Sequence, residues 1–291
     1  MGEERKISIR FYKDREVRAV WDDENGKWWF SAVDIMGAIT ESPNPRKYWS
    51  VLKTRLKKAN SELTTRCSQL KLTSSDGKKY STDCFAQNDI IELVKAIPSK
   101  NSLLFLDWFT YSANTIDAKS RDKAYTLWES GLMESVEIGT TRGLQQIHAY
   151  LFGGLYEFAG QIRNVTISKG NTVFCLAEYL HGVLKDIDRM PDDTFDEIVA
   201  KYVEMNMAHP FMEGNGRSTR LWLDLLMKNR IGRCVDWSRI AKHDYLNAMI
   251  VSATDPTRLS TLLGDALTDK IDDREIFLKG IDYSYYYEQE D

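Results

Sequence analysis

The sequence predicts an α+β chain: a small mixed domain over residues 1–118, then a helical core over 119–291 broken by one short β-hairpin. Three observations point there. Short alternating runs and Gly-containing turns fill the first third. After Ala118 the apolar spacing becomes helical almost without interruption. Charge divides at the same place: residues 1–120 hold 20 Lys+Arg against 16 Asp+Glu, a balance of +4, and the other 171 hold 19 against 27, a balance of −8. Such asymmetry suggests two units with different partners.

The elements follow in order. KISIRF, VRAVW and KWWF read as strands, the last two joined through Asn25-Gly26. SAVDIMGAI starts a helix, with Ser31 as cap and Asp34 three residues on. PNPRKYWSVLKTRLKKAN is a second helix, opened by Pro45 and carrying Tyr48, Val51, Leu52 and Leu56 at helical spacing. A further hairpin turns at Asp76-Gly77, and helices near 87–96 and 100–115 complete the domain. The boundary is expected within 118–135. Helices are then expected near 137–152, 175–188, 193–208, 216–229, 239–252, 256–268 and 272–288. RNVTISKGNTVFC, residues 163–175, is the hairpin, turning at Lys169-Gly170-Asn171.

Composition narrows the class. At 43% hydrophobic and 28% charged the chain is globular, and no stretch reaches the roughly 18 apolar residues of a membrane span. MGEERKISIR lacks the apolar core of a secretory signal, and Lys6 spoils a myristoylation start. Cys67, Cys84, Cys175 and Cys234 are scattered, with no zinc spacing. A cytoplasmic location is expected.

The most informative run is HPFMEGNGRSTR, His209 to Arg220. It joins two amphipathic helices. Pro210, Gly214 and Gly216 break the chain there, and the second helix begins with unpaired N–H groups and a partial positive charge. That end is a nest for phosphate. Arg217 and Arg220, three apart, point to one side of it and suit a polyphosphate. Glu213 could hold Mg²⁺ against the same phosphates. His209, across the loop, is placed to take a proton from an incoming hydroxyl. The residues alone therefore suggest transfer of a nucleotide fragment onto an alcohol.

This run resembles the Fic-domain signature HxFx(D/E)GNGRxxR, with no departure, and TRGLQQIHAYLFGGLYEFAGQIRNVTISKGN resembles the helix and flap that precede it. The resemblance covers about 135–291. It implies an all-helical core, ATP with Mg²⁺, and AMP transfer onto a Ser, Thr or Tyr hydroxyl of a target protein. By the same resemblance His209 is the general base, Phe211 packs beneath the loop and Glu213 binds Mg²⁺. Asn215, with the Gly214 and Gly216 amides, holds the α- and β-phosphates; Arg217 steadies the leaving pyrophosphate and Arg220 the γ-phosphate. The flap, residues 167–173, clamps the target by strand addition, Lys169 reaches the nucleotide, and Tyr245 and Asn247 stand on the adenine side.

The chain ends IDYSYYYEQED. Ser284-Tyr-Tyr-Tyr-Glu288 resembles the family's inhibitory motif (S/T)xxxE(G/N), on the helix expected over 272–288; Gln289 departs from the usual Gly or Asn. Glu288 would then pair with Arg220 and occupy the γ-phosphate's place. Ser130-Gly-Leu-Met-Glu134 has the same spacing but a serine after its glutamate. Relatives with this brake often assemble, so a homo-oligomer is among the expectations.

KWWFSAVDIMGAI and SPNPRKYWSVLKTRLKK resemble the BRO-type N-terminal domain of phage antirepressor-like proteins, which implies DNA binding. Arg46, Lys47, Lys53, Arg55, Lys57 and Lys58, with no acid between Ser42 and Ser61, would meet the phosphates. Docking of a protein is the other reading of this domain. Two further readings of the whole stay open: a DNA-binding regulator in which the Fic unit is incidental, and a Fic unit that transfers phosphate or removes AMP.

Overall fold

The computed structural model describes residues 7–22, 24–74, 77–112, 115–170 and 172–289. The chain parts into two units, the first ending at Thr115 and the second starting at Ile116.

The first unit runs β1 (Ile7–Tyr12), β2 (Arg15–Asp22), β3 (Lys27–Ser31), α1 (Ala32–Thr40), α2 (Pro45–Lys58), β4 (Ser68–Thr73), β5 (Lys79–Ala86), α3 (Ile90–Lys95) and α4 (Ser102–Ser112). Its strands form one antiparallel sheet in the order β1-β2-β3-β5-β4. Lys13 and Asp14 make the first turn with φ of 45° and 57°, the left-handed pair that a two-residue hairpin needs. Gly26 supplies the same region at the next turn, and Gly77 does so before β5; Asp76 lies outside the described residues. Ser31 caps α1 by accepting from Asp34 N. Asp34 does not reach back to the cap; its carboxylate takes the Arg18 guanidinium at 2.7 and 2.8 Å. Phe30, Ile35, Met36, Ile39, Phe85 and Phe105 make the core beneath α1.

Asn44 caps α2 and Pro45 is its first residue. Only Trp49 and Leu52 are buried on it. Arg46, Lys47, Arg55, Lys57 and Lys58 are exposed. Lys53 is a correction to the basic face: its Nζ lies 2.6 Å from Asp83, which also accepts from Trp49 Nε1. The carboxylate on β5 holds that ammonium to the sheet.

The second unit runs α5 (Ile116–Thr126), α6 (Leu132–Ser135), α7 (Thr141–Phe152), β6 (Ser168–Lys169), β7 (Thr172–Val173), α8 (Ala177–Asp188), α9 (Phe195–Ala208), α10 (Asn215–Ile231), β8 (Cys234–Val235), α11 (Lys242–Ser252), α12 (Thr257–Asp265), β9 (Leu267–Thr268) and α13 (Arg274–Tyr286). The fold is α+β, with a helical second unit. α10 is central, packed by α7, α9 and α13, and it buries residues on every side, from Asn215 and Arg217 to Leu226 and Met227. A capping box between Thr194 and Glu197 starts α9.

Two features differ from the sequence reading. A helix, α5, occupies 116–126, where a boundary region is expected. It buries Ala118, Ser120, Arg121, Ala124 and Tyr125, a face too polar to show as an apolar stripe. The helix expected over 256–268 stops at Asp265, and Leu267–Thr268 pair instead with Cys234–Val235. Two-residue strands carry no readable period. Among the described residues no helix is long and apolar enough to cross a membrane, and all four cysteines are free.

Candidate active site

The run His209–Arg220 is built by two left-handed residues. His209 ends α9 with φ 47°, and Gly214 opens α10 with φ 79°. Between them the chain folds over Phe211, which is fully buried. Asn215 clamps that turn: its Oδ1 accepts from Phe211 N and its Nδ2 donates to Phe211 O, both at 2.8 Å. This corrects the expected phosphate contact for the Asn215 side chain. Its amide is bonded inward and 4% exposed, so it shapes the nest rather than lining it.

Two residues outside the run hold it, and sequence reasoning missed both. His148 on α7 stacks on Phe211 at 3.8 Å. Its Nδ1 accepts from Gly160 N, so its Nε2 donates to Glu213 O. Burial pushes its imidazole down to about 4. Arg163 is also buried and donates to the carbonyls of His209, Ala208, Val165 and Cys175. It ties the end of α9 to both sides of the β6–β7 hairpin. A single His or Arg carries no pattern in sequence; only these contacts reveal its use.

The His209 ring lies flat on Phe174 at 3.6 Å. Its Nδ1 is 3.2 Å from Asn206 O, which places the proton there and leaves Nε2 as the accepting nitrogen. Burial lowers its pKa to about 4. The ring is therefore neutral at pH 7 and able to take a proton.

The arginines are both buried and both engaged. Arg217, 4% exposed, donates to Glu213 at 2.9 Å and to Asp117 on α5, and packs over the Phe152 ring. Asp117 has no counterpart in the sequence reading. Arg220 donates through Nε to Ser284 Oγ at 2.8 Å, and through Nη2 to Ser284 O at 2.7 Å and Glu288 Oε1 at 2.6 Å. Burial alone would raise the Glu288 carboxyl, but the Arg220 charge and hydrogen bond, with Lys169 and Arg217, bring it to about 2. Lys169 on the flap is 3.6 Å from Glu288 Oε2 and 76% exposed. Asn171, at the flap's turn, lies outside the described residues.

Glu213 is 57% exposed, and its Oε1 is shared by Arg217 and Gly214 N. Tyr245 is a correction to the expected adenine contacts. It is 2% exposed, its hydroxyl meets that of Tyr202 at 2.5 Å, and its ring stacks on Tyr287. It walls in Arg220 and has no face left for a base. Asn247 is half-buried and turns its amide to His243.

Residues 139–227 match the Fic/DOC family, and residues 16–116 match the N-terminal domain of the BRO family. Each of the two family matches covers about a third of the chain, the Fic match lying behind the Bro-N match. The chain is 34% identical over 118 residues to the probable protein adenylyltransferase y4lH of Sinorhizobium fredii, covering 36% of this chain and 61% of that one. It is 32% identical over 120 residues to the protein adenylyltransferase VbhT of Bartonella schoenbuchensis, covering 38% and 25%. The chain thus spans less than two thirds of either relative. A solved structure, the N-terminal FIC domain of Bep8 from Bartonella sp. 1-1C, is 18% identical with a TM-score of 0.48, covering 56% of this chain and 88% of that one.

Proposed function

We propose that the Fic domain transfers AMP from ATP to a hydroxyl of a target protein and that Glu288 restrains it. The observation that carries this reading is the Arg220–Glu288 pair at the mouth of the α10 nest. A carboxylate is held where main-chain N–H groups and two buried guanidiniums converge, which is a site for an anion of higher charge. The names of the adenylyltransferase relatives support the same chemistry.

In the reaction the target's hydroxyl oxygen bonds to the α-phosphorus of ATP. Its proton passes to His209 Nε2, and the bond from that phosphorus to the bridging oxygen breaks. Pyrophosphate leaves with the charge on its oxygens met by Arg217 and Arg220. With Glu288 seated, Arg220 is taken and the γ-phosphate is displaced from in-line geometry. Among the described residues no group of three His, Cys, Asp or Glu gathers for a metal. The exposed Glu213 carboxylate fits the way Mg²⁺ binds, through one acid and the nucleotide's own phosphates. The ion would neutralise phosphate charge. Residues 167–173 would hold the target's backbone by strand addition.

For the Bro-N domain we propose DNA binding through α2. Five exposed basic side chains remain there once Lys53 is set aside.

The test is incubation with labelled ATP. His209→Ala abolishes labelling and Glu288→Gly raises it. Intact mass then reads the group moved: about 329 Da for AMP against about 80 Da for phosphate. Addition of the smaller mass would overturn the AMP reading in favour of phosphate transfer.

A further inference from the structure

Behind the active centre, α10 and α13 stand apart over a cavity of about 630 Å³. That is the size of a small-molecule pocket. Its lining shares Arg217 and Arg220 with the nucleotide site proposed above but includes none of the described flap residues and none of 209–216, so it adjoins that site from behind. Its walls are mostly apolar, from Trp128, Leu221 and Leu225 on one side to Ile276, Phe277 and Ile281 on α13. The exposed Glu134, Asn229 and Lys270 mark its rim. Buried Arg220 and Ser284, the pair that locks the brake, form its inner end.

One acid in this lining is used by nothing described so far. Asp224 accepts from Val235 N at 3.1 Å and from Trp237 Nε1 at 2.7 Å. Among the described residues it has no ion-pair partner. Lys228, one turn further along α10, gives its ammonium to Asp272 and Ile271 O instead. Burial lifts the Asp224 carboxyl to about 7, against the lowering effect of its hydrogen bonds from Trp237 and Val235 and of the Arg220 charge.

We propose that this cavity binds a small arylalkylamine, its ammonium on Asp224 and its ring between Leu225 on α10 and Ile276 and Phe277 on α13. Such a ligand favours the braked state, for two physical reasons. One wall is α13 itself, so withdrawal of α13 dismantles the site. Arg220 lies one helical turn from Asp224, and in the nucleotide-free protein Glu288 is the carboxylate paired with it. Once Glu288 leaves, the bare guanidinium repels the ligand's ammonium. A ligand shifts an equilibrium by its differential affinity for the two states, so the amine holds Glu288 in. Binding stands apart from the AMP-transfer reading; the effect on braking rests on it.

The experiment is isothermal titration of the full chain with 1-naphthylmethylamine, beside the neutral 1-naphthalenemethanol. The amine binds, the alcohol binds about tenfold more weakly, and Asp224→Asn weakens the amine by about tenfold while leaving the alcohol unchanged. Ile276→Trp, which fills the cavity from α13, removes binding of both. No heat from the amine at millimolar concentration, or equal affinity in wild type and both variants, overturns the site. Glu288→Gly weakens the amine by a similar factor; equal or tighter binding there overturns the coupling to the brake. Failure of AMP transfer itself shows separately, as no labelling from ATP in any variant with the titration result intact.

Discussion

Glu288 Oε1 lies 2.6 Å from Arg220 Nη2 and would sit 2.1 Å from a Cβ placed on Gly216. The carboxylate therefore occupies the space above the first turn of α10 that glycine leaves open. An anion belongs there, because the first turn of a helix presents unpaired N–H groups and partial positive charge.

Replacing Glu288 by Gly removes the carboxylate that, among the described residues, pairs with a guanidinium that is 3% exposed. We expect two results of opposite sign: labelling from ATP rises by tenfold or more, roughly the worth of one buried charged hydrogen bond, and the nucleotide-free protein loses about 3 kcal/mol of stability. Thermal melts with and without ATP check the second, since ATP should restore part of the loss by satisfying Arg220. Equal labelling of wild type and variant would remove the brake.

Lys169 makes the useful contrast. Its contact with Glu288 is 3.6 Å long and its side chain 76% exposed, and surface pairs contribute under about 1 kcal/mol. Lys169→Ala should change labelling less than about fivefold. A change as large as that of Glu288→Gly would move the weight of the brake from Arg220 to the flap.

Gly214 combines a φ of 79° with a would-be Cβ contact of 2.5 Å to the Phe152 ring. Gly214→Ala should therefore lose about 2 kcal/mol or more by denaturant unfolding. An unchanged midpoint would mean that α10 starts in some other way.

His209 falls to about 4 through burial, whereas an unfolded imidazole titrates near 6.5. Between those values the unfolded chain binds the extra proton, so this contribution to stability is lost as pH falls from about 6.5 toward 4. Asp224, raised to about 7, acts in the opposite direction over the same range. The measurement is thus a comparison of wild type with His209→Asn at pH 7 and pH 5. Wild type should lose about 2 kcal/mol more than the variant; parallel losses would contradict the buried, neutral ring.

On the Bro-N domain, the triple change Arg55→Ala, Lys57→Ala and Lys58→Ala should lower the salt slope of DNA retention by about three. Lys53→Ala should instead reduce stability, because Asp83 loses its ion-pair partner. No retention by wild type at low salt ends the DNA reading and leaves the protein-docking one.

By itself the sequence determined what short-range physics encodes. Caps such as Ser31 and Asn44, the proline at the start of α2, and the glycines before α10 act within a few residues, so their meaning is local. The twelve residues from His209 carry phosphate chemistry in their composition alone. The tertiary structure decided which side chains remain free to use it. Asn215 turns inward to Phe211, Tyr245 is walled behind Arg220, and Lys53 is tied to Asp83. Asp117 reaches Arg217 across 100 positions, and Arg163 gathers four carbonyls from three segments. Such pairings depend on how helices pack, and packing answers to burial and shape summed over the whole unit, which no window of sequence contains.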